Sequence, residues 1–408
     1  MSQDFRAIFA SLAAATAFAS SVYAAPAVKS LGSISIAKPG FLQMVDGAQP
    51  GSKDLLVSAF AVFGTSTFSR LSFNATATDE IQSVKPVALT TKITWPNDVT
   101  VVPSEIFGER FVAVGSGFLT PGANNGAVNI VNLDSGESFQ IAAPKKDYFY
   151  HRVLFADING DGRLDAVTAR AKKPLFGASD GEILWLEQPQ KPTKGAWAEH
   201  IIAKGPDTHF ALHDLDGDGK VEILSAEFFS KKLSLQWQEG DVWKSRVIDD
   251  AIGSAFDLEL ADLNGDGQLD LLVTNHEADA KAAIMAYEIP ADYKTAAWTR
   301  HILLDGIKTE KEGKNQAAPG TAFAVQPSSD PASQLKKPWI IAAGDGSTHV
   351  HRLIATSDDV NDWTYTQDLL HDGESTIGKL TFGDVNDDGR LEMFVPAYHD
   401  DKIYIYQL

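Results

Sequence analysis

The stretch Asp157-Ile158-Asn159-Gly160-Asp161-Gly162-Arg163-Leu164-Asp165 occurs four times in the chain, with small changes. It returns as Asp214-Leu215-Asp216-Gly217-Asp218-Gly219-Lys220-Val221-Glu222 and as Asp262-Leu263-Asn264-Gly265-Asp266-Gly267-Gln268-Leu269-Asp270. The fourth copy is Asp384-Val385-Asn386-Asp387-Asp388-Gly389-Arg390-Leu391-Glu392. Each copy sets a carboxylate or amide oxygen at positions 1, 3, 5 and 9, and the backbone carbonyls of Arg163, Lys220, Gln268 and Arg390 stand at position 7. Such an oxygen-rich set is what a hard cation such as Ca2+ requires, and glycine at position 6 permits the tight turn that gathers the oxygens. Solvated acidic turns that bind nothing are the alternative reading.

The bidentate Glu that a helix-flanked calcium loop carries at position 12 is absent, since Thr168, Ser225, Val273 and Val395 stand there. The flanks, among them Phe155, Val167, Leu224, Leu272 and Phe394, belong to short β-type runs rather than to helices with an apolar stripe. The loops are therefore expected to join strands.

A marker just before each apolar run that follows the loop gives a register for the whole chain: Asp54, Arg110, Asp165, Glu222, Asp270, Trp339 and Glu392. The intervals are 56, 55, 57, 48, 69 and 53 residues, which defines seven units, four with an intact loop. Each full unit holds about four strands; in the fourth these are 209–213, 221–226, 233–237 and 243–248. A closing strand recurs as Trp197-Ala198-Glu199-His200-Ile201, Trp243-Lys244-Ser245-Arg246-Val247 and Trp298-Thr299-Arg300-His301-Ile302, with its tryptophan assigned to packing between units. Four antiparallel strands repeated radially predict an all-β, seven-bladed β-propeller. The last unit ends on a third strand at 402–406, so the spare strand Ser33-Ile34-Ser35-Ile36 is expected to complete that blade and latch the ring.

The loops between apolar strands resemble FG-GAP/VCBS repeats, the integrin-α type of propeller, and the closing strands are similar to propeller units of the aldos-2-ulose dehydratase type. The resemblance implies one Ca2+ in each intact loop, about four in all, on the lower face. It implies little about activity, because one scaffold hosts many functions.

Composition narrows the partners. The net charge of −19 argues against nucleic acid, and four divalent ions would bring it to −11. The apolar, alanine-rich run from Ala7 to Val22, followed by Val22-Tyr23-Ala24, reads as a secretory signal over residues 1–24. That predicts a secreted, extracellular protein with a single propeller domain over residues 25–408 and no membrane span. There is no cysteine, so stability must come from the core or from metal, and thiol catalysis is excluded. The sequon Asn74-Ala75-Thr76 fits a secretory route.

Residues before strand 1 and after strand 2 of each blade fall on the face opposite the loops. They include Tyr148, Tyr150, His151, Arg152, Arg170, Lys172, Lys173, His209, Glu227, His276, Glu277, His349, His351, Tyr398 and His399. A carbohydrate or an extracellular protein bound through this upper face is the first functional reading. The alternative is a carbohydrate lyase or dehydratase acting by β-elimination, with His151 or His209 as base, Tyr150 or Tyr398 as acid, Arg152 or Arg170 clamping a carboxylate, and His399 beside them. His276-Glu277 and His399-Asp400 together would make a second metal site.

Overall fold

In a computed structural model of the chain, the described residues are 28–408 apart from 62–63, 75–77, 79, 121–122, 175–176, 193, 279 and 312–315. The expected leader, residues 1–24, lies outside them, as do two residues of the sequon. Seven four-stranded antiparallel sheets follow one another along the chain as the blades of a propeller. Strand 1 of the blades is Pro39–Asp46, Pro96–Val101, Phe149–Ala156, Phe210–His213, Ala255–Ala261, Ala322–Val325 and Thr381–Gly383. Strand 2 is Lys53–Ala59, Phe111–Ser116, Asp165–Lys172, Glu222–Glu227, Asp270–Asn275, Trp339–Ala343 and Glu392–Ala397. Every marker residue thus falls within one position of the start of a strand 2.

Why strand 2 reads as a continuous apolar run is clear from its neighbours. Each blade lies between two others, so both faces of its middle strands are buried, and a strand with two buried faces does not alternate with polar residues. Leu55 and Val57 point into the cluster shared with blade 7, while Leu56 points into the cluster shared with blade 2. The core consists of seven such clusters, one in each gap between adjacent blades. Trp197, Trp243, Trp298 and Trp363 each join one of them, which gives the closing tryptophans their packing role. The outer strand of blade 4, Val242–Asp249, faces solvent, with half of its residues exposed and none buried.

Blade 7 is completed from the other end of the chain. Lys29–Ser35 pairs antiparallel with Lys402–Gln407, from Lys29 opposite Gln407 to Ser35 opposite Lys402, with a bulge between Ser30 and Gly32. The latch therefore forms, starting a few residues earlier than the Ser33–Ile36 pattern. Closure removes the two open edges that an unclosed array would leave. Among the described residues no helix is long and apolar enough to cross a membrane.

Three blades replace the acidic loop. Blade 2 has a one-turn helix, Ser104–Phe107, between its first strands, and blade 6 has a short turn of helix at Pro331–Ser333. At the marker position of blade 1 the buried Asp54 accepts from Arg110, the marker of blade 2, at 2.6 Å. A guanidinium from the next blade neutralises the one marker carboxylate that lies outside the intact loops.

Candidate functional site

The four acidic loops share one geometry. In the blade 3 loop, Asp157 accepts from the amides of Gly160 (2.8 Å), Asp161 (3.1 Å) and Gly162 (2.8 Å), which folds the chain around its carboxylate. Asp214, Asp262 and Asp384 accept in the same way from Gly219, Gly267 and Gly389, each at 2.9 Å. At position 3, Asn159, Asp216, Asn264 and Asn386 accept from the amide of position 5, and at position 5 Asp161, Asp218, Asp266 and Asp388 accept from the amide of position 7. The position 9 carboxylates of Asp165, Glu222, Asp270 and Glu392 are buried and bond the amide of position 2. Burial, with neighbouring carboxylates of the same loop, raises their pKa values, to about 7 at Asp270 and Glu392 and about 6 at Asp165. Loops of this kind hold several acidic oxygens together in partial burial, and a hard divalent cation suits them.

Blade 4 alone has a carboxylate at all of positions 1, 3, 5 and 9, because position 3 is Asp216 rather than Asn. One oxygen from each of Asp214, Asp216 and Asp218 lies within 4.8 Å of the others. Tyr293 (2.7 Å) and Lys294 (2.9 Å), both from blade 5, donate to Asp216 Oδ2 and offset part of this charge.

On the opposite face, the seven residues expected to act together in catalysis lie in three separate places. His151, Arg152 and His209 enter the central channel. There Arg152 donates to Asp98 Oδ2 (2.9 Å), to Asp257 Oδ1 (3.1 Å) and to the Phe210 carbonyl (3.2 Å), while Lys379 Nζ holds Asp98 Oδ1. Two cations and two carboxylates thus form a neutral, buried layer across the channel. Burial alone would raise Asp98, but Lys379 and Arg152 outweigh it and hold its carboxyl well below the usual range. A cavity of about 290 Å3 lies against this layer, lined in part by Glu259, whose pKa burial raises to about 7.

The imidazoles of His151 and His209 pack edge to face, with centroids 4.3 Å apart. Burial, then the Arg152 charge, lowers His209 to about 3; burial and His209 lower His151. Both rings are neutral at neutral pH. His209 Nδ1 bonds the Phe256 carbonyl at 2.8 Å, which places a proton on Nδ1 and leaves Nε2 as a buried nitrogen without a partner among the described residues.

Tyr150 and Arg170 lie instead inside blade 3. Arg170 donates to Glu182 (2.7 Å), to Tyr150 Oη (2.7 Å) and to Glu199 (2.7 Å), making a row across the four strands of the sheet. Tyr150 is fully buried and burial raises it to about 12, so its phenol keeps its proton. Tyr398 and His399 stand at the rim of blade 7. Tyr398 donates to the Phe60 carbonyl at 3.0 Å, and His399 Nδ1 accepts from the Thr376 amide at 3.4 Å. His276 bonds Asp345 at 2.9 Å rather than gathering with His399 and Asp400.

What the upper face presents around the channel mouth is aromatic. Phe60 stacks on Trp95 (4.6 Å), Trp95 on Phe118 (4.8 Å, 4° between planes), and Phe118 approaches Phe149 (6.3 Å). From Phe149 the contacts pass to Phe229 (6.5 Å), Phe228 (5.2 Å) and Phe256 (6.3 Å). They return through His209 (5.2 Å), His151 (4.3 Å), Phe41 (5.2 Å) and so to Phe60 (5.9 Å). Tyr398 joins at Phe60 (5.6 Å) and His276 stacks on Phe256 (5.0 Å). Phe118 is 39% exposed, and Phe41, Phe60, Phe228, Phe229, Phe256, His276 and Tyr398 are partly exposed. Trp95 sits at φ 51°, a left-handed backbone that a bulky residue adopts at a cost of about 1–3 kcal/mol. That cost is met where the ring is wedged between Phe60 and Phe118.

The sequence reading passed over this belt, although its signal was there. The first residues after strand 2 in blades 1, 4, 5 and 7 are Phe60, Phe228, His276 and Tyr398, and Phe118 follows one residue later in blade 2. Attention to titratable side chains at those positions left the phenylalanines aside.

Residues 214–273 match the family model for the FG-GAP-like repeat, a span that begins with the blade 4 loop and ends in strand 2 of blade 5. Among solved structures, one described as a crystal structure of glucose dehydrogenase aligns with 78% of this chain and 98% of its own, at 13% identity and a TM-score of 0.39. No curated protein matches the chain.

Proposed function

We propose that this seven-bladed FG-GAP-repeat propeller is a secreted, calcium-stabilised module that binds carbohydrate on its upper face. The observation that carries the reading is the aromatic belt. A contiguous, partly exposed aromatic surface on one face marks an interaction site, and flat rings that offer a π-face suit the C–H face of a sugar. Polar groups inside and beside the belt, among them His276, Tyr398 and His399, supply hydrogen bonds for hydroxyls. The acidic loops on the lower face are assigned one Ca2+ each, held by the oxygens at positions 1, 3, 5, 7 and 9. A bound ion would supply the positive charge that the clustered carboxylates lack. The alanine-rich leader supports export to a calcium-rich compartment.

The β-elimination reading has less behind it. Its base candidates and the clamp Arg152 lie at a neutral ion layer, the clamp Arg170 and the acid Tyr150 are tied together inside blade 3, and the acid Tyr398 stands apart at the rim of blade 7.

A glycan array probed in calcium-containing buffer, with calorimetry on the glycans that bind, tests the proposal. Phe118→Ala and Phe229→Ala are each expected to weaken binding about tenfold, the equivalent of roughly 1.4 kcal/mol. An array without binding, or affinities unchanged in both variants, would overturn it.

A further inference from the structure

The gaps between blades are filled by apolar side chains almost everywhere, but the gap between blades 5 and 6 changes character toward its outer edge. Inside, Leu303, Ile307 and Leu353 belong to the apolar cluster of that gap. Outside, a cavity of about 260 Å3 opens, with an apolar wall at Leu304 and Ile307 on the blade 5 side and, on the blade 6 side, a polar wall at Ser347, His351 and Gln367 with Leu369 next to it. Leu369 is 43% exposed, an uncovered apolar group in this crevice.

The polar wall has a fixed hydrogen-bond order. Gln367 Nε2 lies 2.7 Å from His351 Nδ1, and His351 Nε2 lies 3.1 Å from Ser347 Oγ. An amide nitrogen only donates, so Nδ1 accepts and the ring proton sits on Nε2, donated to Ser347. That leaves the Ser347 hydroxyl proton as a donor and Gln367 Oε1 as an acceptor for a molecule in the crevice. Gly344 makes the arrangement possible, since a Cβ there would stand 2.0 Å from Ser347 Oγ. Thr309 Oγ1, on the segment that forms the rim, is buried with no hydrogen-bond partner among the described residues. Burial and the nearby His349 lower His351 to about 4, so the polar wall carries no charge at neutral pH. The charged groups, Asp305, Lys308 and Glu310, are exposed at the rim, and His349, which also lines the crevice, stands 3.1 Å from the exposed Asp372.

We infer that this crevice is a second sugar site, separate from the belt, which takes one neutral pyranose unit between Leu304 and Ile307 of blade 5 and the Ser347–His351–Gln367 wall of blade 6, with Leu369 beside that wall. A pyranose presents one apolar C–H face and a rim of hydroxyls that both donate and accept, which matches the two walls. An ionised ligand would lose hydration against neutral partners. The volume falls below the roughly 300–1,000 Å3 of sites for larger ligands, so a single ring fits rather than a longer chain. The inference shares only its ligand class with the proposed function and stands on different residues.

Saturation-transfer NMR with methyl glucoside, galactoside, mannoside and xyloside on the full chain tests it. The expected result is transfer to at least one of the four in the wild type and in Phe118→Ala, with at least a tenfold loss of affinity in Gln367→Leu and Leu369→Glu. Both crevice substitutions are at exposed positions of the outer strand, and thermal melts check that the variants remain folded. No transfer to any of the four, or transfer unchanged in both crevice variants, would overturn the crevice site. Transfer lost only in Phe118→Ala would also overturn it while supporting the belt, so the two readings fail separately.

Discussion

His209 illustrates how much a single side chain is decided by its surroundings. It is fully buried, its ring faces Arg152, Lys379, Asp98 and Asp257, and it is held neutral with a pKa near 3. A histidine whose folded pKa lies below its unfolded value of about 6.5 contributes stability that is complete above pH 6.5 and is lost as pH falls toward 3. The slope is at most about 1.4 kcal/mol per pH unit for each such group. Urea unfolding at intervals between pH 6.5 and 4 is therefore expected to show stability falling with acidity, and His209→Gln is expected to lose about one proton's worth of that slope. Equal slopes in the two proteins would contradict a neutral His209. At this scale the sequence was only partly legible. It placed His151, Arg152 and His209 on the upper face, but nothing in it reveals that Arg152 turns its donors to Asp98 and Asp257, which are 54 and 105 positions away. Arg170 was misleading for the same reason, since its partners Glu182 and Glu199 come from strands 3 and 4 of its own blade.

At the scale of the element, the acidic loop was the most readable feature of the chain. Its spacing gave the register of strand 2 in blades 3, 4, 5 and 7, because a buried carboxylate at position 9 must stand where the chain enters the sheet, and the apolar runs extended that register to the other three. Less legible was the way blades 1, 2 and 6 manage without it, through the Arg110–Asp54 pair and the short helical turns. Those replacements are built from contacts between blades and leave no local pattern. If the loops hold calcium, equilibrium dialysis of Asp218→Ala is expected to count one ion fewer per chain than the wild type. Saturation to 100 times the dissociation constant is worth about 2.7 kcal/mol for each loop, so chelation is expected to lower the melting temperature. An unchanged ion count would refute the blade 4 assignment. Because the loops face away from the belt, Asp218→Ala is expected to leave glycan affinity within about twofold.

At the scale of the molecule, seven blades close into a ring through the pairing of Lys29–Ser35 with Lys402–Gln407. The closure was foreseeable, since a third strand at one end and a spare strand at the other can satisfy each other's edges. The function of the ring was less so. The channel is crossed by the Asp98–Lys379 and Arg152–Asp257 ion pairs, which makes it a plugged axis rather than a passage. The belt around its upper mouth draws residues from blades 1, 2, 3, 4, 5 and 7, so no stretch of sequence contains it, and only alignment of the blades by position brings its members together.

The central claim is that ligand and cation loops occupy opposite faces. Amide hydrogen exchange, measured with and without the tightest-binding glycan from the array, tests it most directly. Slowed exchange is predicted around Phe60, Phe118, Phe228-Phe229, Phe256 and His276, with no change in residues 157–165, 214–222, 262–270 and 384–392. Protection confined to the acidic loops, with the aromatic segments unaffected, would contradict the account.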